Sequence, residues 1–350
     1  MSVNLQKNCM KVSLVLVFLL FFQFTRAQYD FSEADRKIEQ AKKELEGNAV
    51  VLVQKDGKII YQKILGELNA KAQVPVTASS NWLTAALVMT FVDEGKLSLD
   101  DKISKYLPVY AKYSKGYITI RHCLAHLTGI DSDPVRSQKS FLDRKKYATL
   151  DEEVADFASS REIASNPGLE FRYSQVGPDI AARILEIITR RGFEQLMQER
   201  ITRPLMMRNT SFSSFSAVNP TAGAISSAGD YINFLSMILN KGTFNGKRIL
   251  SEKAIAEMET AQTTPAMIKY APKALTGFNY GMGAWIQETD ENGKATILSA
   301  PGLFGTWPLI DKCRGYAFIV LTKGTLSEEK KELVMSIKDA IDAVIPSACR

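Results

Sequence analysis

The sequence predicts an α/β (α+β) fold: a mostly antiparallel sheet built from both termini and flanked by helices, with an inserted, mainly helical lobe. Three observations predict it. Apolar, β-branched runs at 49–53 and 58–65 flank Asp56-Gly57, a strong hairpin signal. Strand patterns return only far downstream, at 281–288, 295–299, 303–310 and 316–322. Between the two sets, positions 80 to 239 carry apolar residues at helical spacing. Strands that are remote in sequence and separated by helices bury their apolar faces most simply by sharing one sheet.

The elements follow in order. Apolar and Ala positions recur at helical spacing among the charges of 31–46, which predicts an amphipathic helix ahead of the hairpin. Helices are then expected at 82–94, 118–127, 151–159, 178–189, 193–200 and 229–239. Asn292-Gly293 and Arg314-Gly315 supply turns between the late strands, and 327–345 closes the chain as a helix. The sheet lobe thus takes about 28–75 and 240–350, and the helical lobe about 76–239, with no internal repeat and no low-complexity linker.

The first 27 residues stand apart. Lys7 and Lys11 precede an apolar run, 12–24, too short to span a bilayer, which ends at Thr25-Arg26-Ala27 with a small residue where a signal peptidase would cut. The expectation is a cleaved signal peptide, a secreted or periplasmic destination and no stable membrane insertion afterwards. Loss of Lys7, Lys11 and Arg26 lowers the formal charge from +6 to +3. That balance is too mild and too evenly spread to suggest a nucleic-acid partner. Of the cysteines left, Cys123 sits in an apolar helical run and reads as a buried small residue. The odd count speaks against a complete disulfide framework. Cys313 and Cys349 can pair in an oxidising compartment, but the reading favours leaving them unpaired.

No phosphate-binding glycine loop, C-x-x-C pair or G-x-S-x-G elbow occurs, so no cofactor is expected. His122 and His126 are spaced to share a helix face, but they lack an intervening Glu and a third ligand. They read as structural or capping residues, and no metal is expected. Asp100, Asp101, Asp131 and Asp133 read as loop and capping residues. Ser327-Glu-Glu-Lys330 reads as a helix cap, Lys241-Gly242-Thr243 and Lys323-Gly324-Thr325 as turns, and Tyr231-Ile-Asn233 as part of a helix.

Other stretches carry a resemblance. They are Trp82-Leu-Thr-Ala-Ala with Asp93-Glu-Gly-Lys-Leu-Ser-Leu-Asp-Asp101, Ile118-Thr-Ile-Arg-His122 leading to His126-Leu-Thr-Gly129, and Pro167-Gly-Leu-Glu-Phe-Arg-Tyr-Ser174. Pro204-Leu-Met-Met-Arg-Asn-Thr-Ser211, Ser227-Ala-Gly-Asp230 and Gly302-Leu-Phe-Gly-Thr-Trp307 with Asp311 continue the series. In order and spacing, 50–322 resembles the serine β-lactamase-like superfamily, in its branch of class C β-lactamases, esterases, D-aminopeptidases and penicillin-binding proteins.

The resemblance implies a nucleophile in S-x-x-K at a helix start. Positions three apart share a helical face, so a Lys amine can take the Ser proton near the positive helix end. Here that motif falls on Ala78-Ser79-Ser80-Asn81, with Ala78 at the serine position and Asn81 at the lysine position. The family's Y-x-N falls on Tyr173-Ser174-Gln175, and its K/H-T/S-G on Ala300-Pro301-Gly302. Tyr173 and Gly302 are retained, and Gln175 keeps an amide on a longer arm. The backbone N–H groups of Ala78 and Leu303, at the implied oxyanion positions, remain able to hold an oxygen. Trp82 and Trp307 read as core packing beside the cleft.

A silent relative that binds a small acyl or peptide-like ligand, or an unknown protein partner, is therefore expected. The alternative is an active serine hydrolase of esterase, β-lactamase or D-aminopeptidase type, using a re-registered Ser79 or Ser80 with Tyr173. Neither serine has a Lys three residues later, since Trp82 and Leu83 stand there.

Overall fold

Seven strands hydrogen-bond into one sheet in a computed structural model that describes residues 29–132, 147–322 and 328–349. The expected signal peptide, Asp133, Ser327 and Lys323-Gly324-Thr325 lie outside the described residues. Phe31–Arg350 forms one compact unit, and the whole sheet belongs to it.

The strands are β1 (Ala49–Lys55), β2 (Lys58–Leu65), β3 (Asn279–Tyr280), β4 (Trp285–Thr289), β5 (Ala295–Ser299), β6 (Trp307–Asp311) and β7 (Tyr316–Thr322). Their order is β2-β1-β7-β6-β5-β4-β3, and every pairing is antiparallel. The early hairpin joins the late strands through β1 and β7, whose register runs from Ala49 opposite Thr322 to Lys55 opposite Tyr316. β1 is buried along nearly its whole length, as its Ala-Val-Val-Leu-Val run requires of a strand covered on both faces.

The helices of the unit include α1 (Ser32–Gln40), α2 (Ser80–Asp93), α3 (Ile120–Leu124), α4 (Leu150–Ser160), α5 (Val176–Thr189), α6 (Phe193–Met197), α7 (Ala228–Leu239) and α8 (Glu252–Glu259). A further helix, α9 (Glu328–Asp342), closes the unit. α7 packs on β1, β6 and β7. α1 and α9 pack together, and their polar groups reach the sheet: Tyr61 donates to Asp35 at 2.8 Å, and Lys338 lies 3.1 Å from Asp311. α2 is buried almost all round, at 12 of its 14 residues, so it is a core helix rather than an amphipathic surface one. Trp82 and Trp307 are 1% and 0% exposed, in keeping with their expected packing role.

The structure corrects several expectations. Cys313 and Cys349 are bonded, with Cα atoms 5.0 Å apart, because the turn after β6 and the C-terminal tail meet; Ala348 donates its N–H to the Cys313 carbonyl at 2.7 Å. The strand expected from 303 starts only at Trp307. Gly302 donates to the Thr306 carbonyl at 2.8 Å, so 303–306 closes a turn instead of joining the ladder. α8, absent from the sequence pattern, begins at Ser251, whose hydroxyl accepts the Ala254 N–H at 3.0 Å. Among the described residues, no helix is long and apolar enough to cross a membrane.

Candidate functional site

The start of α2 lies under the turn that leaves β5. A 3₁₀ turn, Thr77–Ser79, leads into the helix. Thr77 holds φ at +46°, a strained value for a β-branched residue. Gly302 is needed beside it: a Cβ there would come within 2.3 Å of the Val76 carbonyl oxygen and 2.7 Å of the Thr77 hydroxyl. That closeness seals the β5 exit against the helix start.

The hydroxyls around Ala78 are engaged in building this junction. Thr77 Oγ1 accepts the backbone N–H of Leu303 at 2.6 Å. Ser79 is buried and donates to the Ala300 carbonyl at 2.6 Å, while Tyr231 on α7 donates to the Ser79 carbonyl at 2.7 Å. Ser80 is also buried and accepts the Ala224 N–H at 3.0 Å. Ala78 presents a methyl group to the cleft between them.

Tyr173 enters from the segment after the short strand Phe171–Arg172, and Gln175 precedes α5. Asn81, one turn into the helix from Ala78, donates its Nδ2 to Tyr173 Oη at 2.9 Å. This carboxamide bonds the tyrosine at the position where the resemblance implies a lysine. Asn81 is 2% exposed, and its Oδ1 has no hydrogen-bond partner among the described residues. Burial pushes the Tyr173 phenol above its usual range, and the Asn81 hydrogen bond pulls the other way. The phenol is therefore a neutral hydroxyl at physiological pH, not a base.

An aromatic cluster fixes that ring. His126, Phe171, Tyr280 and Trp285 surround Tyr173, with His126 and Tyr173 centroids 4.6 Å apart. His126 is buried, its Nε2 lies 3.2 Å from Tyr280 Oη, and its Nδ1 accepts the Ser174 N–H. Burial drives the His126 pKa down to about 3. His122 works separately, in a capping box with Thr119 at the start of α3.

The resulting cleft has a volume of about 60 Å³ and is lined by Thr77, Ala78, Tyr173, Gln175, Leu303 and Pro301, with Ser174, Asn219, Thr221, Ala222 and Pro272. Ala78, Tyr173, Gln175 and Leu303 thus share one cleft. Gly302 lies buried in its wall against Val76 and Thr77. Ala300, 3% exposed, contributes its carbonyl to Ser79. Sequence reasoning missed Thr77, the 219–222 loop and Pro272. Their pattern carries no chemical signature; only the folded turn brings them to Ala78. It also missed Glu153 on α4, whose Oε1 accepts Gln175 Nε2 at 3.2 Å and so orients the amide.

A large antiparallel sheet with a buried helix whose start faces the turn after β5 defines the serine β-lactamase and transpeptidase-like class of fold. The chain belongs to the beta-lactamase family, whose sequence model matches residues 34–340. Protein flp of Staphylococcus aureus (strain MW2) is 26% identical over 175 residues, 47% of this chain but only 34% of that protein's length. The D-alanyl-D-alanine-carboxypeptidase/endopeptidase AmpH of Escherichia coli (strain K12) is 22% identical over 309 residues, 79% of each chain. A solved structure from Bacteroides dorei DSM 17855 superposes with a TM-score of 0.79 at 26% identity, covering 90% of this chain and 99% of that one.

Proposed function

We propose that this beta-lactamase-family chain is an exported binding protein for a small acyl or peptide-like ligand, and that it does not turn its ligand over by the Ser/Lys route. One observation carries the reading: the α2 start presents the Ala78 methyl to the cleft, while Asn81 binds Tyr173. Attack on an acyl carbon needs a hydroxyl at the first position and a proton acceptor at the second. Re-registering Ser79 or Ser80 would break the bonds to Ala300 and Ala224 and bring a side chain out of a fully buried setting. Loss of a nucleophile removes several orders of magnitude of rate. Export is supported by the Cys313–Cys349 bond, since disulfides persist in oxidising compartments.

The test is labelling of the mature protein with a fluorophosphonate and a fluorescent penicillin, beside hydrolysis of a chromogenic β-lactam and p-nitrophenyl esters. No stoichiometric label and no turnover above a heat-denatured control are expected. Stoichiometric label mapped to Ser79 or Ser80 would replace this reading with an active hydrolase.

A further inference from the structure

We infer that the chain has a second ligand site, at the other end of the sheet from the cleft, built for a small zwitterion that carries one ammonium, one carboxylate and a short apolar chain. A cavity of about 390 Å³ opens there, between the end of α7, one face of α8, the Asp56-Gly57 hairpin and the turns beside β5 and β6. β5 separates the two sites: Lys294, which lines the cavity, precedes it, and Pro301, which lines the cleft, follows it. The site therefore stands or falls independently of what happens at Ala78.

The inner wall is short of donors. Gln54, 8% exposed, lines the cavity, and its Oε1 has no hydrogen-bond partner among the described residues. Glu259, also 8% exposed, accepts from Lys312 at one carboxylate oxygen. Burial still pushes that carboxyl above its usual range, against the pull of Lys312, Lys294 and Lys241. α7 and α8 both end at this wall, at Leu239 and Glu259, so the negative ends of two helix dipoles meet there. A buried acceptor left without a partner is costly, and an ammonium answers all of these groups at once. At the mouth, Glu252 lies 4.0 Å from Lys241 and 3.7 Å from Arg248, whereas Lys294 and Asp56 are exposed and have no ion pair among the described residues. Lys294 supplies the cation for a ligand carboxylate, and Asp56 adds to the pull on the ammonium. A bare amine would leave Lys294 unanswered, and a bare carboxylate would meet Gln54, Glu259 and two helix C-termini. Ile238, Leu239, Ile255 and Ala256 line the remainder and cover the apolar chain.

The experiment titrates racemic norleucine, hexanoate and pentylamine into the purified protein near neutral pH, followed by two-dimensional NMR. Hexanoate is norleucine without its ammonium, and pentylamine is norleucine without its carboxylate. Norleucine should bind tightest and each of the others at least about tenfold more weakly, since each forfeits a charge-assisted hydrogen bond. Lys294→Gln, at an exposed position, should close the gap between norleucine and pentylamine. Glu259→Gln, its fold checked by near-UV circular dichroism, should close the gap between norleucine and hexanoate. Ala256→Trp, also at an exposed position, should fill the cavity and abolish norleucine binding. Hexanoate or pentylamine binding as tightly as norleucine, no norleucine binding at millimolar concentration, an unchanged gap in Lys294→Gln, or unchanged norleucine affinity in Ala256→Trp would each overturn the inference.

Discussion

Thr77 and Leu303 are locked to each other: the threonine hydroxyl accepts the leucine N–H at 2.6 Å. Leu303 N–H is one of the two donors that the family resemblance assigns to an oxyanion, so the chain fills that donor with its own side chain. A ligand oxygen that reaches for it must displace a hydroxyl held by a backbone at φ +46°.

Replacing Thr77 with glycine should therefore free the donor, read as faster amide hydrogen exchange at Leu303. Stability should change by no more than about 1 kcal/mol in urea unfolding, because relief of backbone strain, about 1–3 kcal/mol, offsets loss of a hydrogen bond worth about 1 kcal/mol. Unchanged exchange at Leu303 would show that the Thr77 hydroxyl does not protect that N–H.

Ala78→Ser with Asn81→Lys restores a hydroxyl and an amine three positions apart at the start of α2. Slow stoichiometric labelling by fluorophosphonate is expected where the unaltered chain takes none, and Ala78→Ser alone should label far more slowly. Absence of any gain would mean that the 300–303 turn, with Thr77 on its N–H, blocks acylation whatever stands at 78.

His126 sets an acid limit on stability. Its imidazole is held neutral down to about pH 3 in the fold, whereas an unfolded histidine takes its proton near about pH 6.5. Between those values only the unfolded chain gains the proton, so stability is full above about pH 6.5 and falls as pH drops, by at most about 1.4 kcal/mol per unit. Urea midpoints measured from about pH 7 to about pH 4 should decline along that slope. His126→Gln should flatten it, even though the variant starts less stable; an equally steep slope in both proteins would assign the acid sensitivity elsewhere.

Lys338 should be the costly residue under the terminal helix. It is 5% exposed and contacts Asp311 at 3.1 Å and Asp342 at 2.5 Å. Its removal leaves those two carboxylates, among the described residues, with Arg314 as their neighbouring cation. Lys338→Ala should cost about 3 kcal/mol, read as a lowered urea midpoint with an unchanged slope. A loss under about 1 kcal/mol would mean that Arg314 carries both carboxylates by itself.

Much of the fold was legible in local pattern. The Asp56-Gly57 hairpin, β5 and β7 fell where alternation and turn residues put them, since pairing and burial act on each residue as its neighbours do. The 303–306 segment misled because apolar Leu303 and Phe304 look like strand, yet Gly302 and Gly305 close a turn there. The Cys313–Cys349 bond escaped because sequence separation says nothing of the 5.0 Å between their Cα atoms.

The sequence by itself determined the family pattern and which groups stand at 78, 81, 173, 175 and 300–302, because chemistry at a motif position is written in residue identity. Only the tertiary structure decided what those groups hold: Asn81 on Tyr173, Ser79 on Ala300, Ser80 on Ala224, Gln175 on Glu153 and Thr77 on Leu303. The Gln175 contact spans 22 positions, and each of the others spans 92 or more. A hydrogen bond depends on distances near about 3 Å, and no local periodicity sets such distances across that much chain.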